Sequence, residues 1–585
     1  MNPFYEPYRL LQIYQSILFR ENKLVNYPTA HQQFSALNLI AFKQLQHNID
    51  TYLLEFLKAN GLILTNVDNI LEGLYKTLLN LGIGAPPPFL ANRQQYNAAK
   101  HRKSSIFHSY QTRQPEIMVT LDINASKEIL KELLVNGMTI ARINCAYGTI
   151  EDWRRLIHFI RSIEKDIHNQ LPHPCKIYMD LSGAKVRVGP IKKKTFPLKI
   201  KINKDRYGFP LHNKKGILVM KHHTHIHDLD SFEFVLPLNI NKDIPQLAAG
   251  DVLHFTDVQK RKREFNILAS HTYGYVVTIN KTTYISEGTR LLHEQSGNEY
   301  QVGTLKSSPV DIYVKSGDYL KIHLAKSIEG KAATKNNPAE ISTTLPQIFS
   351  DVKAGENIYF NDGKIHGIVD HVDKNFIIVS IIYPSTPKKV KENKGINLPD
   401  TKIKLPAITA QDIHDLPFIV KHADFLGISF IQQAEDLAYL HQILHQSLLE
   451  NLTIVAKIET RNAIHNFSDI LLQGLHFPKF AVMIARGDLA VEVGFEKLPI
   501  IQQEMLDMCK AAHVPTILAT EVLDRLTKKG IPSRAELADI FIGSSVDCMM
   551  LNKGTYVDKA VDFLKETMQL IVKQHEYYHK YVRGF

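Results

Sequence analysis

Clustered cysteines are missing from this chain. Cys145, Cys175, Cys509 and Cys548 lie far apart and form no C-x-x-C pair. That excludes a disulfide framework and a cysteine zinc site, and it suits a reducing compartment. Also missing is any apolar run of the roughly 18 residues that crosses a bilayer. The opening "MNPFYEPYRLL" carries acid and proline early and lacks a signal-peptide layout. The expectation is a cytoplasmic protein without a membrane partner. Acidic residues are outnumbered: 70 Lys and Arg against 59 Asp and Glu give a net charge of +11. A basic balance admits a polyanionic partner or a small phosphorylated substrate. The basic clusters "IKKKTFPLKIKINK" and "QKRKREF" sit in strand-like sequence with few stacking aromatics. They read as solvated lysine faces, and no nucleic-acid partner is expected.

What is present is enough apolar residue, 44% of 585, to fill more than one core. Residues 1–105 carry apolar residues at helical spacing, with glycine and proline stops, and read as a helical N-terminal extension. The polar stretch "NRQQYNAAKHRKSS" reads as a linker. From about 115, short β-rich runs alternate with amphipathic helices: "EIMVTL", "TIARINC" and "CKIYMDLS". Residues 190–399 lack helical pattern and form a β-rich insert. Within it, "GDVLHF" and "GENIYF" are weakly alike and suggest two related β units. The alternation resumes with "DFLGISFI", "LTIVAKIE", "FAVMIARG", "VPTILAT" and "CMMLNKG". Three strands before the insert and five after it predict an α/β fold. It is a (β/α)8 TIM barrel in two parts, 106–189 and 400–585, interrupted after its third strand.

In such barrels chemistry sits at the C-terminal ends of the strands. Here the second strand ends at Arg142 and Asn144, and the third at Asp180, with Lys185 and Arg187 following. The fifth ends at Lys457 and Glu459, the sixth at Arg486, Gly487 and Asp488, the seventh at Thr520. Any one of these is explained by a cap or a salt bridge; together they place carboxylates, cations and a hydroxyl on one rim. Two carboxylates without histidine or cysteine suit Mg²⁺ rather than zinc. Arg and Lys opposite such an ion clamp a phosphoryl group. Gly487 at a helix start brings backbone N–H groups close to an anion. An adhesion role for the Arg-Gly-Asp tripeptide is set aside, because it lies inside a barrel unit.

The blocks "GMTIARINCAYGT", "YMDLSGAKVRVG", "AGENIYFNDGKI", "KGINLPD", "VAKIET", "MIARGDLAVEVGFEK", "TILATEVLDRL" and "PSRAE" resemble the pyruvate kinase family, in the family's order. The likeness covers about 115–190 and 340–560. It implies that the insert is a lid, and that the chain moves a phosphoryl group from phosphoenolpyruvate to ADP, giving pyruvate and ATP. "ARINCA", "MLNKG" and the N-terminal helices resemble a bacterial subgroup, and the family's C-terminal regulatory domain is expected to be absent. A homo-oligomer, as a dimer or another non-standard assembly, is then expected.

The resemblance also assigns roles. Glu459 and Asp488 match the ligands of Mg²⁺ (or Mn²⁺), and Lys457 matches the lysine that neutralises phosphoryl and enolate. Arg142 matches the arginine that bridges phosphoryl and nucleotide phosphates. Thr520 matches the hydroxyl near the methylene carbon, and Gly487 the backbone site for the substrate carboxylate. Asn144, Arg187 and Lys394 fall near the nucleotide, and Asn361 and Asp362 on the lid loop. The sequence departs from the family at its K⁺ site. Asn144 and Asp180 remain, but Ala146 replaces a serine, Leu181 a threonine, and Lys185 the glutamate of K⁺-dependent members. A tethered ammonium supplies the charge of K⁺, so K⁺ is not expected to be required. Tyr147 replaces a histidine near the nucleotide, which leaves nucleotide preference open. Two other readings remain at this stage: an enolate-handling lyase or aldolase on a similar barrel, and a non-catalytic paralogue.

Overall fold

The computed structural model describes residues 5–21, 24–59, 67–88, 93–107, 114–220, 229, 231–239, 247–401, 405–444 and 450–581. Its contacts divide the chain into two compact units. One comprises Met1–Val188, Val314–Lys326 and Ser342–Phe585; the other comprises Gly189–Tyr313 and Ser327–Ile341. The β-rich stretch 190–399 is therefore shared between the units.

The first unit holds a closed barrel of eight parallel strands. They are β1 (Glu116–Thr120), β2 (Ile140–Asn144), β3 (Lys176–Asp180), β4 (Phe425–Ile428), β5 (Thr453–Ile458), β6 (Phe480–Ala485), β7 (Thr516–Ala519) and β8 (Cys548–Leu551). Each pairs with the next, and β8 closes on β1. β5 and β6 are buried along their whole length, as strands covered on both faces must be. This is the barrel that the alternation predicts.

Local chemistry sets where the surrounding helices begin and end. Helix Lys127–Asn136 is capped by the Ser126 side chain and stopped by Gly137 at φ 119°, a left-handed position that favours glycine. Helices Ile150–Asp166 and Ala410–His422 start with capping boxes, Thr149 with Asp152 and Thr409 with Asp412. Ile150–Asp166 turns Trp153, Leu156, Ile157, Ile160 and Ile163 into the core, which is one stripe of an amphipathic helix.

The first unit also contains an antiparallel run of Tyr319–His323, Phe376–Tyr383, Ile365–Val372, Asn357–Phe360 and Ile396–Asn397, in that order. The second unit has a closed barrel of seven strands around Leu218, Leu236, Leu253, Phe265, Val277 and Leu291. "GDVLHF" falls in that barrel and "GENIYF" in the first unit's sheet. Their likeness comes from a shared turn: Gly250 (φ 97°) and Gly355 (φ 90°) each precede an alternating strand.

The N-terminal segment forms helices α1 (Tyr5–Glu21), α2 (Ala30–Asn48), α3 (Thr51–Ala59), α4 (Ile70–Asn80) and α5 (Arg93–Ile106). α5 corrects the reading of this stretch as a linker. Arg102 donates to the carbonyls of Phe477 and Pro478, and Ala99 is buried. Polar composition was misleading because α5 is held by backbone acceptors and one small apolar face rather than by a broad stripe. All four cysteines are free and buried.

Candidate active site

The C-terminal ends of the barrel strands carry a buried array of charge around a cavity of about 220 Å³. Arg142, in the middle of β2, donates through Nε (2.8 Å) and Nη2 to Asp180 Oδ2 at the end of β3. Its Nη1 donates to Thr120 Oγ1 at 2.8 Å. Lys457 on β5 places Nζ 2.8 Å from Ser429 Oγ, 3.1 Å from Glu459 Oε1 and 3.3 Å from Asp180 Oδ2. Glu459 Oε2 accepts from the Phe430 N–H at 2.9 Å. Lys185 Nζ lies 2.8 Å from Asp488 Oδ1 and 5.2 Å from the centre of the Phe430 ring.

These contacts decide the charge states. Burial opposes ionisation of Asp180, but Arg142 and Lys457 outweigh it and hold the carboxyl below the usual range. Burial likewise works against Asp488, and Lys185 and Lys457 overcome it. Lys185 loses by burial and gains more from Asp488 and Glu459, so its ammonium is held more firmly than usual. Glu459 goes the other way. Burial pushes it above its ordinary range; Lys457 pulls it down, and the charge of Asp488 pushes it up again. Of the two carboxylates, Asp488 is thus held ionised and Glu459 is the one that resists losing its proton.

Among the described residues, no group of three or more His, Cys, Asp or Glu gathers to hold a metal. Glu459 and Asp488 are two hard oxygen donors lining one cavity. That donor set fits Mg²⁺, which takes one or two carboxylates and completes its shell with water and substrate oxygens.

Other expected residues lie nearby. Asn144, Arg187, Lys394, Asp362 and Thr520 line the same cavity. Asn144 Oδ1 accepts from the Ala146 N–H at 3.0 Å, and Arg187 Nη1 donates to Asn393 O at 3.1 Å. Asn361 is buried, and its N–H bonds Gly395 O. Tyr147 is half exposed at the cavity, under Lys553.

Two placements differ from expectation. The Gly487 N–H, expected to lie open to an anion, donates to Thr520 Oγ1 at 2.6 Å. Arg486 is buried, bonding Thr520 O and Asp539. Reading the sequence also missed Ser429, which positions Lys457, and Thr120, which positions Arg142. Ser429 immediately follows β4, a strand end that carries no charge to mark it in the sequence.

The family model for the pyruvate kinase barrel domain matches residues 274–561. A pyruvate kinase of Geobacillus stearothermophilus is 29% identical over 294 residues, which is 49% of this chain and 47% of the relative. One of Eimeria tenella is 33% identical over 45% of this chain and 48% of its own length. One of Thermococcus litoralis is 32% identical over 49% of this chain and 58% of its own length. The chain thus spans about half the length of the curated relatives it matches.

Proposed function

We propose that this chain, which belongs to the pyruvate kinase family, transfers the phosphoryl group of phosphoenolpyruvate to ADP with Mg²⁺ (or Mn²⁺) and without a requirement for K⁺. One observation carries the reading. Arg142, Lys457 and Lys185 meet Asp180, Glu459 and Asp488 beside the Thr520 hydroxyl, at the chemical end of the barrel.

Phosphoryl transfer asks a protein mainly to position and neutralise. Asp180 contacts both Arg142 and Lys457, so both cations are fixed before substrate arrives. The terminal oxygen of ADP attacks phosphorus as the bond to the enol oxygen breaks, and the electron pair of that bond stays on the enol oxygen. Arg142 neutralises the phosphoryl oxygens, and Lys457 neutralises both these and the enol oxygen. Glu459 and Asp488 would hold the metal, which when bound supplies Lewis-acid charge at those oxygens. Enolpyruvate then takes one solvent proton at its methylene carbon, relayed through the Thr520 hydroxyl, which regains a proton in turn. Gly487 and Asp488, on the first turn of a helix, lie at the positive end that favours the substrate carboxylate. Asn144, Arg187 and Lys394 serve the nucleotide phosphates. The loop of Asn361 and Asp362 closes over the site and keeps out water.

The fixed Lys185 ammonium supports independence from K⁺. The test is pyruvate formation from phosphoenolpyruvate, ADP and Mg²⁺, with and without K⁺, beside an Asp488→Ala control. Equal turnover in both conditions, lost in the control, supports the reading. Turnover that needs K⁺ keeps the kinase and removes Lys185 as its substitute. No turnover and no ADP binding favours lyase chemistry.

A further inference from the structure

Thr520 follows β7 in a left-handed conformation, φ 61°, and Glu521 (φ 61°) and Leu523 (φ 48°) share it. A β-branched residue does not rest there unless its surroundings hold it. Two consecutive residues of the neighbouring unit of the barrel do so. Arg486 Nε and Nη2 donate to Thr520 O at 3.3 and 3.0 Å, and the Gly487 N–H donates to Thr520 Oγ1 at 2.6 Å. Arg486 is itself buried and anchored through Nη1 on Asp539 Oδ1 at 2.7 Å. Asp539 lies on the helix Arg534–Gly543, whose start is fixed by the Ser533–Glu536 capping box.

We propose that Arg486 and Asp539 are positioning residues that lock Thr520 in the left-handed turn and so aim its hydroxyl hydrogen into the cavity. Because Oγ1 accepts the Gly487 N–H, its own hydrogen is not part of that bond and is left to donate elsewhere. A relaxed Thr520 rotates the carbonyl off Arg486 and takes Oγ1 off Gly487, and the hydroxyl loses its fixed direction. Arg486 reaches no reacting atom; it acts through Thr520. The proposal rests on the reading of Thr520 as the proton relay, but the geometry of the lock is testable apart from it.

The test uses Arg486→Met and Asp539→Asn in the full chain, beside Thr520→Val. The first readout is the crystal structure of Arg486→Met, or of Asp539→Asn where the former does not fold. The expected result is Thr520 outside the left-handed region with its bond to Gly487 broken. An unchanged Thr520 overturns the proposal. The second readout is exchange of the pyruvate methyl protons with D₂O in the presence of Mg²⁺ and ATP. Exchange should fall about a hundredfold in each single variant, as for a misplacement of about 1 Å. It should fall little further when Arg486→Met and Thr520→Val are combined, and the KM for ADP should not move. Wild-type exchange in Arg486→Met, or additive losses, overturns the proposal. If the natural protein neither exchanges protons nor forms pyruvate, the kinase reading fails, and the crystal structure alone decides the lock.

Discussion

Lys185 Nζ sits 2.8 Å from Asp488 Oδ1. The ammonium therefore rests on one of the two carboxylates proposed for the metal, not on Asp180, which Arg142 and Lys457 already hold. Under the proposed function this fixed positive charge takes the place of a monovalent ion. Lys185→Met should lower turnover in K⁺-free buffer by about a hundredfold to a thousandfold, the range for loss of one preorganised charge donor. Added K⁺ should restore part of it, and Lys185→Arg should retain more activity than Lys185→Met. Steady-state rates in K⁺-free and K⁺-containing buffer measure this. Full K⁺-free activity in Lys185→Met removes the argument.

Gly427 on β4 pairs with Asp180 on β3. A Cβ at Gly427 would overlap Asp180 Oδ1 and the Tyr178 hydroxyl. Both lie inside a packed barrel, where overlap forces the functional side chain to move. Gly427→Ala should displace Asp180 and with it the setting of Arg142 and Lys457. We expect kcat to drop about a hundredfold, with a loss of stability of about 1–3 kcal/mol. Rate measurements and thermal melts separate the two effects. Unchanged kcat would show that Asp180 does not set these cations.

Gly427 also shows where sequence reading stops. The barrel was legible because β1 to β8 are short apolar runs separated by amphipathic helices, and that texture follows directly from burial on both faces. Arg142, Lys185, Lys457, Glu459 and Asp488 were legible because a charge at the end of a greasy strand is conspicuous. Ser429 and Gly427 were not, since a hydroxyl and a missing side chain carry no pattern of their own. The engagement of Gly487 by Thr520 depends on a left-handed turn between two strand ends, a relation that no local sequence signal encodes. α5 was hidden for a similar reason: its anchors are distant carbonyls at Phe477 and Pro478.

Glu492 is buried, accepting from Asn397 Nδ2 at 3.2 Å and from the Arg461 N–H at 3.5 Å. Burial pushes its carboxyl up to about 7, and the charge of Asp488 adds to this, while Asn397 and Arg461 pull it down. A carboxyl raised on folding contributes stability that is fully present below its ordinary value of 4.5 and lost as pH rises through about 7. The span corresponds to about 3 kcal/mol. Protonated Glu492 can donate to Asn397 Oδ1, which is buried and has no partner among the described residues. Glu492→Gln should flatten the stability profile between pH 4.5 and 7 and be more stable than the natural chain at pH 8. Urea titrations across that range measure it, and parallel profiles for the two proteins would count against the buried neutral acid.

His513 has the opposite sign and ties the N-terminal helices to the barrel. Its Nδ1 meets Ser35 Oγ of α2 at 3.2 Å, its Nε2 meets Asp68 O at 2.8 Å, and its ring packs against Phe34 and Tyr96. Burial lowers the imidazole to about 4, with Lys103 and Arg102 adding to the effect against the bond to Asp68. A histidine lowered on folding leaves stability intact above its ordinary value of 6.5, and that stability is lost as pH falls from there toward 4. The loss is about 3 kcal/mol, and it falls on the contact of α2 with the barrel. Beside it, buried Asn38 joins the same surfaces, donating to Ala511 O and Val67 O and accepting from the Ile70 N–H. Asn38→Leu strands three backbone groups, each costing about 1–3 kcal/mol when unpaired. Hydrogen exchange should therefore show α2 and α4 opening before the barrel at pH 5 in the natural chain, and already at pH 7 in Asn38→Leu. Barrel strands that lose protection together with α2 in both cases would mean that the helices and the barrel unfold as one body, not as a docked layer.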